Sequence, residues 1–124
     1  MDEVANDPLG GLSGESFCYV TTTGRRSGKP HEIEIWFGAR GSTLYLLSGG
    51  GGRSDWVRNI LANPATTVRV DGRTWQAKGR VVVDPDEEAA ARRLLAGKYQ
   101  GWREGASLSR WARTALPVAL DLQP

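Results

Sequence analysis

The sequence is short of the residues from which most self-contained chemistry is built. Among 124 residues it has one cysteine, Cys18, one histidine, His31, and one methionine. A lone cysteine excludes an internal disulfide. Cys18 lies in an apolar run, where a free thiol usually acts as a small buried hydrophobe. One cysteine and one histidine give no zinc-ligand spacing, so no metal site is expected. Cys18 and His31 could lie on adjacent strands, but no feature around them activates a thiolate. There is no nucleophile elbow. No apolar run approaches the ~20 residues of a membrane-spanning helix. The net charge of +2 is too small to suggest nucleic acid as a partner. The acidic N-terminus lacks an apolar segment, so no signal peptide is expected and the cytoplasm is the expected location.

What the chain does have is glycine, 16 residues of it, and a local concentration of positive charge. Hydrophobic residues at 40% and charged residues at 24% suit an ordinary globular chain, and the length suits one domain. Residues 1–16, rich in Gly, Asp, Asn and Ser, are expected to form a flexible arm before a single domain over 17–124.

The stretch Thr21-Thr22-Thr23-Gly24-Arg25-Arg26-Ser27-Gly28-Lys29-Pro30 organises the rest. Two glycines bracket a turn with three cations, Arg25, Arg26 and Lys29. Arginine offers a planar fork to phosphate or carboxylate, and lysine a compact charge. Such a turn is either an anion cradle or a hairpin tip whose charges are simply solvated. It is not a P-loop: the spacing is one residue short, Pro30 replaces the hydroxyl, and a strand follows.

The alternation of residues 17–23 and 31–37 predicts two strands joined by that turn. His31, Ile33, Ile35 and Phe37 share one face; Glu32, Glu34 and Trp36 share the other. Glu32 and Glu34 form either a carboxylate pair or a solvated face. Residues 38–42 read as a turn, and 43–48 as a strand apolar on both faces. Gly49-Gly50-Gly51-Gly52 follows, either as a floppy linker or as a backbone passing close to something flat. A helix is predicted over 55–62, capped by Ser54 or Asp55 and stopped by Asn63-Pro64. Strands over 65–70 and 73–83 are joined by Asp71-Gly72, a two-residue hairpin signal. Asp84-Pro85-Asp86-Glu87 starts a helix, with Glu87 completing a capping box, that should end near Gly97. Tyr99, Trp102, Leu108 and Trp111 anchor a looser segment before a last strand over 116–122. Six short strands with two or three helices favour a small closed or split barrel of α+β class, mainly β.

An anion cradle, glycine and aromatic surfaces, and no convincing acid, base or metal set suit an enzyme whose cofactor carries the reaction. No catalytic side chain is expected in such a protein. A flavin-like ring with a phosphorylated tail would set its phosphate on the basic hairpin and its ring on the strand and glycine loop.

The threonine–glycine–arginine block, the Leu47-Ser48-Gly49-Gly50 segment, Trp56 with Asn59, and Ala62-Asn63-Pro64 together resemble the deazaflavin-dependent nitroreductase family, reductases that use coenzyme F420. The resemblance implies a split β-barrel related to proteins that bind flavin mononucleotide. It implies hydride transfer from reduced deazaflavin to a small electron-poor acceptor: a quinone, a nitroaromatic or an α,β-unsaturated carbonyl. By the same resemblance Arg25, Arg26 and Ser27, with Lys29 nearby, hold the cofactor phosphate and tail. His31, Ile33, Glu34, Ile35 and Trp36 run beside the ring. Leu47, Ser48, Gly49 and Gly50 contact it through their backbone. Asp55, Trp56, Val57, Arg58 and Asn59 close the site, and Trp102 with Tyr99 lies on the substrate side. Glu34 stands near a position where relatives carry proline, and Gly49-Gly50-Gly51 where some carry lysine. A carboxylate gained and a cation lost beside an anionic cofactor should weaken binding or redirect specificity. Alternatives are a flavin-mononucleotide oxidoreductase of the same fold and a non-enzymatic carrier of a small ligand. A monomer or a homodimer is expected.

Overall fold

A computed structural model describes residues 8–124. Cys18–Thr23 forms β1 and Pro30–Ile35 forms β2, an antiparallel pair in which Tyr19 faces Glu34 and Thr22 faces His31. The cations occupy the turn between them. The turn expected over residues 38–42 shrinks to Gly41 and Ser42, with Gly41 at φ 61°. Gly38–Arg40 is instead β3, paired with β4, Thr43–Ser48. It is short and lies at a sheet edge, so it carries little alternation to read.

A 3-10 turn, Gly51–Arg53, leads into α1, Asp55–Ala62. Ala65–Val70 and Arg73–Val81 form β5 and β6, whose turn places Asp71 and Gly72 at positive φ, as the dipeptide predicts. Pro85–Gln100 forms α2, Arg110–Thr114 forms α3, and Leu116–Leu122 forms β7. Helix α2 runs past Gly97 and stops where Gly101 takes φ 67° and donates its N–H to the Ala96 carbonyl. Asp84 caps it by accepting from the Glu87 N–H. The Glu87 carboxylate does not complete the box; it turns to Arg80 and Tyr45.

The seven strands, one more than expected, form a single sheet in the order β2-β1-β5-β6-β7-β4-β3. The register between neighbours is antiparallel throughout. Strands β2 and β3 are the two outer edges, yet only Trp36 and Phe37 separate them in sequence. The chain crosses from one edge to the other in two residues. The sheet must therefore curl until its edges meet at that corner, which makes a partly closed, split barrel.

Alternation along β4 serves two cores. Leu44 and Leu46 enter the barrel interior with Val20, Val68, Val118 and Leu120. Tyr45 and Leu47 face outward against Ala91 and Leu95 of α2. This is why β4 reads as apolar on both faces. Helix α1 contributes Val57 and Ile60 to the interior. It approaches β6 at Gly79, where a Cβ would stand 2.7 Å from Ile60.

Of the arm expected over residues 1–16, residues 1–7 lie outside the described ones. Residues 8–16 dock on the domain: Leu9 is wholly buried in the barrel core. Lys98 Nζ donates to the Ser13 and Phe37 carbonyls. Tyr99 Oη meets the Ser16 carbonyl, and it also accepts from the Phe37 N–H. One turn of α2 thus pins both this segment and the barrel corner.

Candidate cofactor site

The basic turn is ordered by its own backbone. The Gly24 N–H donates to the Lys29 carbonyl and the Gly28 N–H to the Gly24 carbonyl, each at 2.8 Å. Ser27 Oγ accepts from the Lys29 N–H. A Cβ at position 24 would lie 2.7 Å from both His31 Nε2 and Ser27 Oγ, so any larger residue would displace these two side chains.

The two arginines of the turn differ. Arg25 donates from its backbone N–H and from Nη1 to Asn59 Oδ1, at 3.1 and 3.0 Å, and from Nη2 to Asp55. Asn59 is 4% exposed and donates in turn to Thr22 Oγ1 at 3.1 Å. A buried amide therefore ties α1, β1 and the turn together and holds the Arg25 guanidinium in place. Arg26 makes no hydrogen bond or ion pair with any described residue, so its whole fork is available to a ligand. Between this turn, the start of β2 and α1 lies a cleft of about 440 Å³, lined by Arg25, Arg26, Ser27, His31, Glu32, Ile33, Asp55, Trp56 and Asn59 among others; its carboxylates Asp55 and Glu32 are paired with Arg25 and Arg69.

A second cleft, of about 520 Å³, opens where β2 reaches the barrel corner. Glu34, Ile35, Trp36 and Leu47 line it with Phe17, Gln100 and Trp111. Three of its lining residues, Phe17, Trp36 and Trp111, are aromatic. Trp36 stacks on Tyr99 with ring centroids 4.3 Å apart, and Trp111 meets Trp36 edge-on at 5.5 Å. Phe17 and Trp36 stay 44% and 38% exposed, which leaves aromatic surface open in this cleft.

The glycine run is shaped by Ser48, which is buried and shares hydrogen bonds with the Gly51 carbonyl and Ser54 Oγ, both at 2.9 Å. A Cβ at position 50 would stand 2.5 Å from Ser54 Oγ, so a side chain there would push the Ser54 hydroxyl away from Ser48. Ser54 occupies the N-cap of α1, but its hydroxyl faces Ser48 and caps nothing. The first N–H groups of α1 thus keep no side-chain partner.

Most of the residues anticipated from the sequence gather along β2, eight in the basic cleft and four in the aromatic one. Others do not. Val57 is buried in the barrel core, so its side chain is closed to a ligand. Lys29, Arg58, Ser48, Gly49 and Gly50 line neither cleft. Tyr99 stands behind Trp36 with its hydroxyl committed to backbone, and burial raises its pKa. Trp102 lies in a separate cleft of about 400 Å³ and donates Nε1 to the Ala106 carbonyl. Phe17, Gln100 and Trp111 were not anticipated in the site. Trp111 was legible only as an apolar anchor, because its place depends on how the loop before α3 folds back. Cys18 is buried, and burial pushes its thiol up to about 12, which leaves it unreactive.

The family model for F420H(2)-dependent quinone reductases matches residues 6–123. The chain belongs to that family. As a member it is an F420-dependent reductase, an oxidoreductase whose cofactor is F420. No curated protein matches it. A solved F420 reductase superposes with a TM-score of 0.65 at 21% identity, over 94% of this chain and 93% of that one. A solved F420-H2-dependent reductase gives 0.67 at 19% identity, over 86% and 94%. A Listeria innocua protein titled as a putative pyridoxamine 5'-phosphate oxidase gives 0.69 at 16%, over 99% and 93%. These likenesses establish the split-barrel fold.

The site suits a deazaflavin with an anionic tail. Among the described residues Arg26 is an unpaired fork, α1 presents N–H groups without a side-chain cap near it, and the outer edge of β2 has no strand paired with it. A flat ring that both donates and accepts hydrogen bonds fits such an edge.

Proposed function

We propose that this reductase transfers hydride from F420 to a flat quinone. The observation that carries the reading is the pair of clefts along one edge strand, basic beside residues 31–33 and aromatic beside residues 34–36. Arg25, Arg26 and Ser27 hold the anionic tail, with Arg25 fixed by Asn59 and Arg26 free to fork a phosphate. Asp55, Trp56 and Asn59 close that end. His31, Ile33, Glu34 and Ile35 run beside the ring, with the β2 backbone offering donors and acceptors. Phe17, Trp36 and Trp111 receive the acceptor by stacking.

When bound in its reduced form, the cofactor supplies the hydride. The chain's own residues bind, orient and exclude bulk water from the flat faces of the two partners. Reduction of a quinone to its hydroquinone takes two electrons and two protons, delivered as one hydride, which carries both electrons, and one further proton. The aromatic lining offers no acid held for that purpose, and solvent at the open cleft supplies the proton.

The test is anaerobic oxidation of reduced F420 by a naphthoquinone, a nitroaromatic and an α,β-unsaturated ketone in turn. The quinone is expected to give the highest kcat/KM, and Trp111→Ala to raise its KM several-fold while leaving cofactor affinity within about twofold. Cofactor binding without turnover of any acceptor would replace this reading with that of a carrier. Tighter binding of flavin mononucleotide than of F420 would contradict the cofactor assignment.

A further inference from the structure

Resting on the reading that the aromatic cleft receives the acceptor, we propose that Glu34 makes this cleft a charge filter, admitting neutral and cationic acceptors and rejecting anionic ones. Apart from the Gln100 amide, the lining is otherwise apolar, and Glu34 is its one formally charged residue. The Glu34 carboxylate takes a single hydrogen bond, from Tyr19 Oη at 3.0 Å, which is a neutral donor. Among the described residues no cation pairs with it. Its neighbour Glu32 is different, since Arg69 pairs with that carboxylate at 3.3 Å. The same guanidinium lies over the Tyr19 ring, 4.2 Å from its centroid. Arg69 thus pairs with Glu32 and covers the Tyr19 ring, while Glu34, which lines the cleft and takes its hydrogen bond from Tyr19, keeps no cation partner among the described residues.

Strand β2 is therefore polarised along its length. Beside its start Asp55 and Glu32 are paired with Arg25 and Arg69, so Arg26 is the charge left unpaired there among the described residues, and the Glu34 carboxylate is the one left unpaired beside its end. An anionic tail is drawn toward the turn and repelled from the barrel corner, which fixes the direction in which the cofactor lies. The same repulsion falls on any acceptor that carries a sulfonate or carboxylate. In a partly solvated cleft, a like charge within several ångströms lowers binding by about fivefold to tenfold, and salt screens the effect.

The experiment compares a neutral naphthoquinone with the same ring bearing a sulfonate, at saturating reduced F420 and at low and moderate salt. Native protein, Glu34→Gln and, as a charge change in the loop after α2, Glu104→Gln are measured side by side. The preference for the neutral quinone is expected to fall about fivefold to tenfold in Glu34→Gln, through KM and not kcat. It should also fall with salt in native protein and stay unchanged in Glu104→Gln. Quenching of tryptophan emission by the two quinones reads the same preference as binding, without turnover. A preference equal in native protein and Glu34→Gln, by turnover or by quenching, overturns the filter. Quinones that bind with the expected preference but are never reduced overturn the quinone-reductase reading and leave the filter standing.

Discussion

Two adjacent arginines show how much a residue's role depends on what it touches. Arg25 and Arg26 are indistinguishable in the sequence, and the resemblance assigns both to the cofactor phosphate. In the folded chain Arg25 belongs to an internal bracket with Asn59, Asp55 and Thr22, while Arg26 has no partner among the described residues. Asn59 could be singled out from the sequence beside Trp56, but not its contact with a turn 34 residues earlier. Asn59→Leu keeps the volume and removes both ends of that bracket. It leaves the Thr22 hydroxyl, the Arg25 backbone N–H and Arg25 Nη1 without their Asn59 partner, while Nη2 keeps Asp55, so unfolding free energy should fall by about 1–3 kcal/mol. Arg26→Ala should change it by less than about 0.5 kcal/mol, because nothing internal depends on Arg26. Urea denaturation of the two variants beside native protein separates the roles. Equal stability of native protein and Asn59→Leu would show that the bracket does not hold the turn.

At the scale of elements, the long and strongly patterned ones were legible: α1 and β7 match their expected bounds, as do β4 and β5. The edge strand β3 was not, because three residues carry too little alternation. The end of α2 was misplaced because Gly97 resembles a stop, whereas the left-handed turn is made at Gly101. The capping box was half right, and its other half has a different function. Glu87 receives both Nη groups of Arg80 at 2.8 Å and the Tyr45 hydroxyl at 2.6 Å, which joins α2 to β6 and β4. The Arg80 hydrogen bonds, then that from Tyr45, lower the Glu87 pKa from 4.5 to about 2. A depressed carboxyl pKa favours the folded state above the ordinary value. That contribution is lost as pH falls from about 4.5 toward about 2. The urea midpoint of native protein should drop through this window. In Glu87→Gln it should start lower at neutral pH and drop less steeply, with Asp121, which Arg80 also holds below its ordinary pKa, accounting for the remainder. Parallel curves would mean that this ion pair adds no acid-sensitive stability.

For the whole molecule, strand count and resemblance pointed to a split barrel, but only the strand order shows how it closes. The two outer strands are consecutive in the chain, so closure depends on Trp36 and Phe37, and α2 secures that corner through Lys98 and Tyr99. The corner's placement brings Trp36 against Trp111 and lines up the aromatic cleft with the basic one. Neither the meeting of Trp36 with Trp111 nor the docking of Leu9 is written in local pattern, because each joins residues far apart in sequence. The proposed function rests on this scale too: one sheet edge carries the unpaired Arg26 beside its start and aromatics beside its end, the arrangement proposed to hold an elongated cofactor. The most direct measurement is a titration of native protein and Arg26→Ala with oxidised F420 at low and moderate salt, with flavin mononucleotide as the comparison. The account predicts binding in the low-micromolar range or tighter, weakened by salt and by about tenfold in Arg26→Ala, with flavin mononucleotide bound less well. F420 affinity that is indifferent to both salt and Arg26 would contradict it.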